Sequence, residues 1–135
     1  MYVTVGAWRA ADERHRFEFF ILSPTETAAH VETLAMIANF HADPRYALHL
    51  GSTVNIGRPW IEGSAADNLL VSLPYPYGPG LEWCDTPTGK VQMLWLVPIT
   101  SAEAAFARAR GTAALEELLE KSDENVIAAD RRSLV

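Results

Sequence analysis

Four histidines, one cysteine and seventeen carboxylates are the groups with which this 135-residue chain could do chemistry. His30 and His41 stand eleven positions apart. On a helix that spacing aligns them within about 20° but separates them by three turns, too far to share a metal ion. Packing histidines flanking an apolar stripe are the simpler reading. Cys84 lies between Glu82 and Asp85, charges that raise a thiol's pKa where a nucleophile needs it lowered. A single cysteine excludes an internal disulfide and a Cys-rich zinc site. His49-Leu50-Gly51-Ser52 holds hydrolase residue types without an established arrangement, and no Gly-x-Ser-x-Gly elbow, phosphate loop or His-Glu-x-x-His occurs. The expectation is no cofactor, no metal and no catalysis; the alternative is a small hydrolase-type enzyme using His49 or His41 with nearby carboxylates. Trp60, Tyr75, Tyr77 and Trp83 crowd one loop-rich stretch. Such residues favour protein interfaces, or they cover a sheet edge as satellite core.

Composition sets the frame for these groups. Half the chain (49%) is apolar and 21% is charged, with a formal net charge of −6. That is ordinary composition for one domain, 1–135. The acidic balance excludes a general nucleic-acid or anionic-membrane binder. The absence of a basic-then-apolar leader and the lone thiol lead to an expected cytoplasmic location, and no window approaches the length of a membrane span.

Periodicity then places the elements. Residues 2–8 and 16–22 read as strands, with Phe17, Phe19 and Ile21 on one face. Ser23-Pro24-Thr25-Glu26 reads as a capping box opening a helix over 24–42, whose stripe is Ala28, Val31, Leu34, Ala35 and Ala38. Asp43-Pro44 ends it. Residues 46–57, broken near Gly51, and 68–73 read as strands, and 74–90, with four prolines, as irregular. Residues 91–97, apolar on both faces apart from Gln92, read as a central strand with Trp95 deeply buried. Thr100-Ser101-Ala102-Glu103 is a second capping box, Gly111 a stop, and 112–121 a third helix. Residues 126–128 read as a last short strand. The expected class is α+β, a mixed sheet flanked by helices.

Four stretches taken together resemble the suppressor-of-fused domain family: YVTVGAW with RFEFFIL, including Glu18; LAMIANF at 34–40; TPTGKVQMLWLVPITSAE at 86–103; and LEELLEKSDENVIAADRRSL at 115–134. The resemblance implies a non-enzymatic protein-binding module of the bacterial single-domain type, many of which are suspected immunity proteins that neutralise a cognate toxin. Animal members grip a short peptide with an aromatic residue and two acidic ones. Phe40, Ser52 and Leu73 match those positions; the aromatic is kept and both acids are replaced. The resemblance thus implies Phe40, Ser52 and Leu73 as partner-binding residues, and the loop aromatics add Trp60, Tyr75 and Tyr77, with a protein partner such as a toxin domain. Family domains also carry a strand before the first one here, so the chain is expected to lack that strand and leave the edge at 2–7 open.

Overall fold

Alternating aromatic residues with an isoleucine make Phe17–Ile21 a strand, and every residue of it is buried. In the computed structural model, which describes residues 1–135, this strand (β2) pairs in parallel with Gly89–Thr100 (β6) in the register Phe17↔Gln92 to Phe20↔Trp95. Interior parallel strands are covered on both faces, as their apolar runs require. Tyr2–Val3 (β1) pairs antiparallel with β2. Thr53–Asn55 (β3) pairs antiparallel with Ala66–Ser72 (β4), and Trp83–Thr86 (β5) forms a hairpin with the start of β6. The sheet is mixed and six-stranded, in the order β1-β2-β6-β4-β3 with β5 on β6. Three helices accompany it: α1, Ala28–Ala42; α2, Ser101–Arg110; and α3, Thr112–Lys121.

The chain divides into two compact units, Met1–Leu50 with Val71–Leu96, and Gly51–Leu70 with Val97–Val135. In the first, α1 lays His30, Thr33, Leu34, Ile37 and His41 inward, and His41 stacks on Phe17 and meets Phe19 edge-on. Arg16 spans from Trp8, where its guanidinium lies 4.5 Å from the ring, to the β5–β6 hairpin, donating to Thr86 Oγ1 and to Thr88. In the second, Thr100 and Glu103 cap α2 reciprocally. Glu103 and Arg131 form a buried ion pair, 2.6 Å between Oε1 and Nη1, and Arg131 also donates to the carbonyls of Pro98 and Arg132. Leu134 N–H donates to Glu103, and Ser133 meets Thr100, so the closing segment is tied to the head of α2.

Several expectations change. The first strand is two residues long instead of seven. Gly6, at φ +92°, turns the backbone into a 3-10 turn at Ala7–Arg9, and the buried Glu18 holds that bend by accepting from Thr4 Oγ1 and Gly6 N–H. The first helix begins at Ala28, capped by Thr27, because Ser23 bonds His30 Nε2 and Thr25 instead of a helix end. The inward face of α1 is not the expected apolar stripe: of that stripe only Leu34 is buried, and Val31 is 60% exposed. Of 46–57 only β3 is strand. The stretch 74–90 contains β5, and β6 is longer than 91–97 at both ends. Residues 126–128 form turns, with no partner strand. Trp95 is 8% exposed, as expected for the central strand.

Candidate functional site

The histidines are committed to the fold. Leu48 N–H donates to His41 Nδ1 at 2.9 Å, so the ring proton sits on Nε2 and is donated to the His15 carbonyl at 2.8 Å. Burial lowers the His41 pKa and so favours this neutral form, against the pull of the His15 carbonyl. His30 is 1% exposed and bonded to Ser23. His15 bonds Asp12 at 2.8 Å and lies 6.0 Å from the His41 ring, and that hydrogen bond holds the Asp12 carboxyl below its ordinary range. His49 is exposed, and Cys84 is an exposed free thiol. No group of three or more His, Cys, Asp or Glu is arranged to hold a metal ion.

The exposed aromatic residues are better organised. Phe40 is 40% exposed in the last turn of α1 and stacks on Tyr46, with ring centroids 4.9 Å apart at 26°. The turn between them makes this contact. Asp43 closes α1 and caps the 3-10 turn Pro44–Tyr46, accepting from Arg45 N–H at 3.0 Å. The Arg45 guanidinium grips both Asp43 oxygens and lies 5.4 Å from the Tyr46 ring centroid. Each charge favours the other's ionised form, Asp43 shifting down and Arg45 up. The result is an exposed tier of guanidinium, phenol and phenyl groups. Large aromatic faces of this kind, beside an arginine, are what dominate protein-binding surfaces.

A second aromatic group of the same unit follows β4. Leu73, half-buried, accepts from Tyr75 N–H at 2.8 Å, which starts the 3-10 turn Tyr75–Tyr77. Tyr77 rests edge-on 6.1 Å from Phe20, and Tyr75 is 59% exposed. Trp83, at the head of β5, is also exposed. Of the six expected partner-binding residues, Phe40, Leu73, Tyr75 and Tyr77 therefore lie in the first unit. Ser52 and Trp60 lie in the second. Ser52 is half-buried just before β3, whereas Trp60 is fully buried and is a core residue, not a contact surface. Sequence reasoning missed Tyr46. The signal was present in Asp43-Pro44, which not only ends α1 but folds the next turn back onto it.

The comparisons accord with this architecture. The profile described as Suppressor of fused protein (SUFU) matches residues 2–132. No curated protein matches the chain. Among solved structures, the suppressor of fused homolog of Neisseria gonorrhoeae is 40% identical, with a TM-score of 0.87 over 99% of this chain and 69% of its own. A chain of the Sufu-Fu complex is 20% identical, with a TM-score of 0.65, covering 84% of this chain and 48% of that one. Drosophila Suppressor of Fused is also 20% identical at a TM-score of 0.65, covering 81% of this chain and 26% of its own; these two show the fold alone. With nearly every residue matched by the profile and the bacterial homolog aligned throughout, the chain belongs to the suppressor of fused family.

Proposed function

We propose that this chain is a non-enzymatic protein-binding module whose first unit presents the Phe40–Tyr46 tier to its partner, and that the partner is a toxin domain it neutralises as an immunity protein. The observation that carries the reading is the stacked, solvent-facing Phe40–Tyr46 pair held under Arg45. A chain gains nothing for its own core by holding two large rings and a guanidinium in water, while a partner surface would desolvate all three at once. The net charge of −6 would steer a basic partner such as a nuclease toxin. The Sufu-Fu complex gives a precedent for protein binding within the fold. The engagement of both His41 ring nitrogens supports the non-enzymatic reading over a hydrolase built on that residue.

The test is titration calorimetry against the product of the adjacent gene, with growth rescue on co-expression if that product is toxic. Phe40→Ala and Tyr46→Ala should each weaken binding by roughly 30-fold, the effect of losing an interface hot spot of about 2 kcal/mol. Full affinity in the double variant overturns the placement of the surface. A lack of both binding and rescue overturns the immunity role.

A further inference from the structure

The apolar stripe of α1 that the core leaves uncovered faces a groove. Its walls are the N-terminal segment, with Val3 and Val5, and the outer side of α1, with Val31, Ala35, Ala38 and Ala42, and its volume is about 450 Å³. We infer that this groove is a docking site for an extended, basic-flanked segment of a second protein, added as a new strand on the free edge of β1. This surface is separate from the Phe40–Tyr46 tier.

The backbone supplies the first argument. The register Tyr2↔Ile21 and Val3↔Phe20, with Thr4 N–H donating to the Phe19 carbonyl at 2.9 Å, makes Val3 a non-hydrogen-bonded position of the antiparallel pair. Its N–H and C=O therefore point away from β2, at the end of the sheet order. An edge of this kind is a template for another strand, and strand addition takes affinity from main-chain bonds and specificity from alternate side chains.

The walls supply the second. On the helix wall Val31 is 60% exposed, and on the other wall Val5 is 95% exposed. The alanines of α1 leave depth beside them for bulky apolar side chains at every other position of a guest. From Val31 to Ala42 the helix runs about 16 Å, the length of roughly five extended residues. The volume falls within the range of binding clefts.

Charge selects the occupant. The groove lining carries no charged side chain. In the chain, exposed Glu32 follows the lining residue Val31, exposed Glu26 precedes α1, and exposed Asp12 and Glu13 follow the lining residue Ala10. Ala42 brings the carbonyl end of α1 to one end of the groove, a partial negative charge. Against these four carboxylates stand three cations: Arg9, whose guanidinium lies over Trp8, exposed Arg14, and the Met1 amino group beside Tyr2. A second copy of the chain would bring the same acids and another −6; a segment with Lys or Arg flanks would complement them.

The experiment uses the ¹⁵N-labelled chain and two end-capped peptides, KVTVTVK and EVTVTVE. The basic peptide should shift the Val3 and Val5 amides, slow their exchange, and bind roughly tenfold tighter than the acidic one. Ala38→Trp, which fills the groove, should abolish the shifts, and so should Val3→Pro. The latter removes the outward N–H and exchanges the exposed isopropyl group for a ring, changes edge strands tolerate, and its unchanged thermal melt separates lost binding from lost fold. Phe40→Ala should leave the peptide bound, so that failure here and failure of the proposed partner surface are told apart. Three results overturn the inference: no shift with either peptide at about 1 mM, equal binding of both, or protection of the Val3 and Val5 amides that rises with protein concentration alone, which would mark a second copy.

Discussion

Replacing Arg131 by methionine removes a buried cation and leaves its partner in place. Glu103 is fully buried and Arg131 is 6% exposed. The guanidinium donates twice to the carboxylate and once each to the carbonyls of Pro98 and Arg132. Without it, Glu103 keeps the amides of Thr100 and Leu134 but has no counter-ion. Breaking a buried pair from one side costs about 3–5 kcal/mol, a large part of the roughly 5–15 kcal/mol that holds a domain together. The two remaining amides place the cost at the lower end of that range.

The pH dependence should reverse as well. In the intact chain burial pushes the Glu103 carboxyl up, but Arg131 and the two amides outweigh it, so the folded pKa lies below the ordinary value. That stability is present at neutral pH and is lost as the pH falls through the depressed folded pKa, below about 4.3. In Arg131→Met burial acts without the cation and raises the folded pKa. The variant should then gain stability as the pH falls from 7 toward about 5, and its deficit should shrink. Urea unfolding followed by circular dichroism and tryptophan fluorescence at both pH values measures this. Glu103→Gln combined with Arg131→Met should recover more than half of the loss, since no charge stays buried. A single-variant cost under about 1 kcal/mol at pH 7, or a double variant no more stable than the single, would refute the reasoning.

Three further outcomes are expected. His41 is held neutral with a lowered pKa by burial, so its contribution is intact above about pH 6.5 and declines as the pH falls from there toward the folded value; His41→Gln should flatten the stability profile between pH 7.5 and 5.5, measured by thermal melts. Trp95→Ala should cost about 3–5 kcal/mol in urea unfolding, whereas Trp95→Phe should recover most of this, because the buried indole N–H has no hydrogen-bond partner to lose. Glu18→Gln should free the Gly6 bend from its carboxylate, costing about 1–3 kcal/mol and speeding amide exchange at Thr4 and Gly6 more than in β2.

What was legible in the sequence is what local pattern decides. MLWLV read as an interior strand because both faces are apolar, and RFEFFIL because Phe20 and Leu22 make its second face apolar beyond Glu18; a doubly covered position accepts such a run. The Thr100–Glu103 box was legible because both halves of the cap lie within four residues. The same pattern at Ser23–Glu26 misled, since His30, brought back by the helix itself, takes the serine oxygen and Thr27 caps in its place. The overlong first strand has a similar cause: Glu18, twelve residues on from Gly6, captures the bend. On α1 the buried set includes two histidines and a threonine, residues that hydropathy assigns to the surface, so the apolar stripe named the wrong inward face. Tyr46 escaped notice because its partner is fixed by a turn, and residues 126–128 have strand composition but no neighbour to pair with.

The parallel pairing of Phe17–Phe20 with Gln92–Trp95 sets a timetable for synthesis. A ribosome adding roughly 5–20 residues per second makes β2 about 4–15 s before the segment that will cover its inner edge. Throughout that interval the stretch from Phe17 to Ile21 has at most the two residues of β1 beside it. Pairings this distant in the chain are slow to close, and an aromatic strand waiting with a free edge invites association with neighbouring nascent chains. Slow-translating codons between residues 22 and 88 would lengthen the exposure, and chaperone binding to this stretch would shorten it. Solubility in expression should therefore respond to elongation rate, even though the finished sheet hides the strand completely.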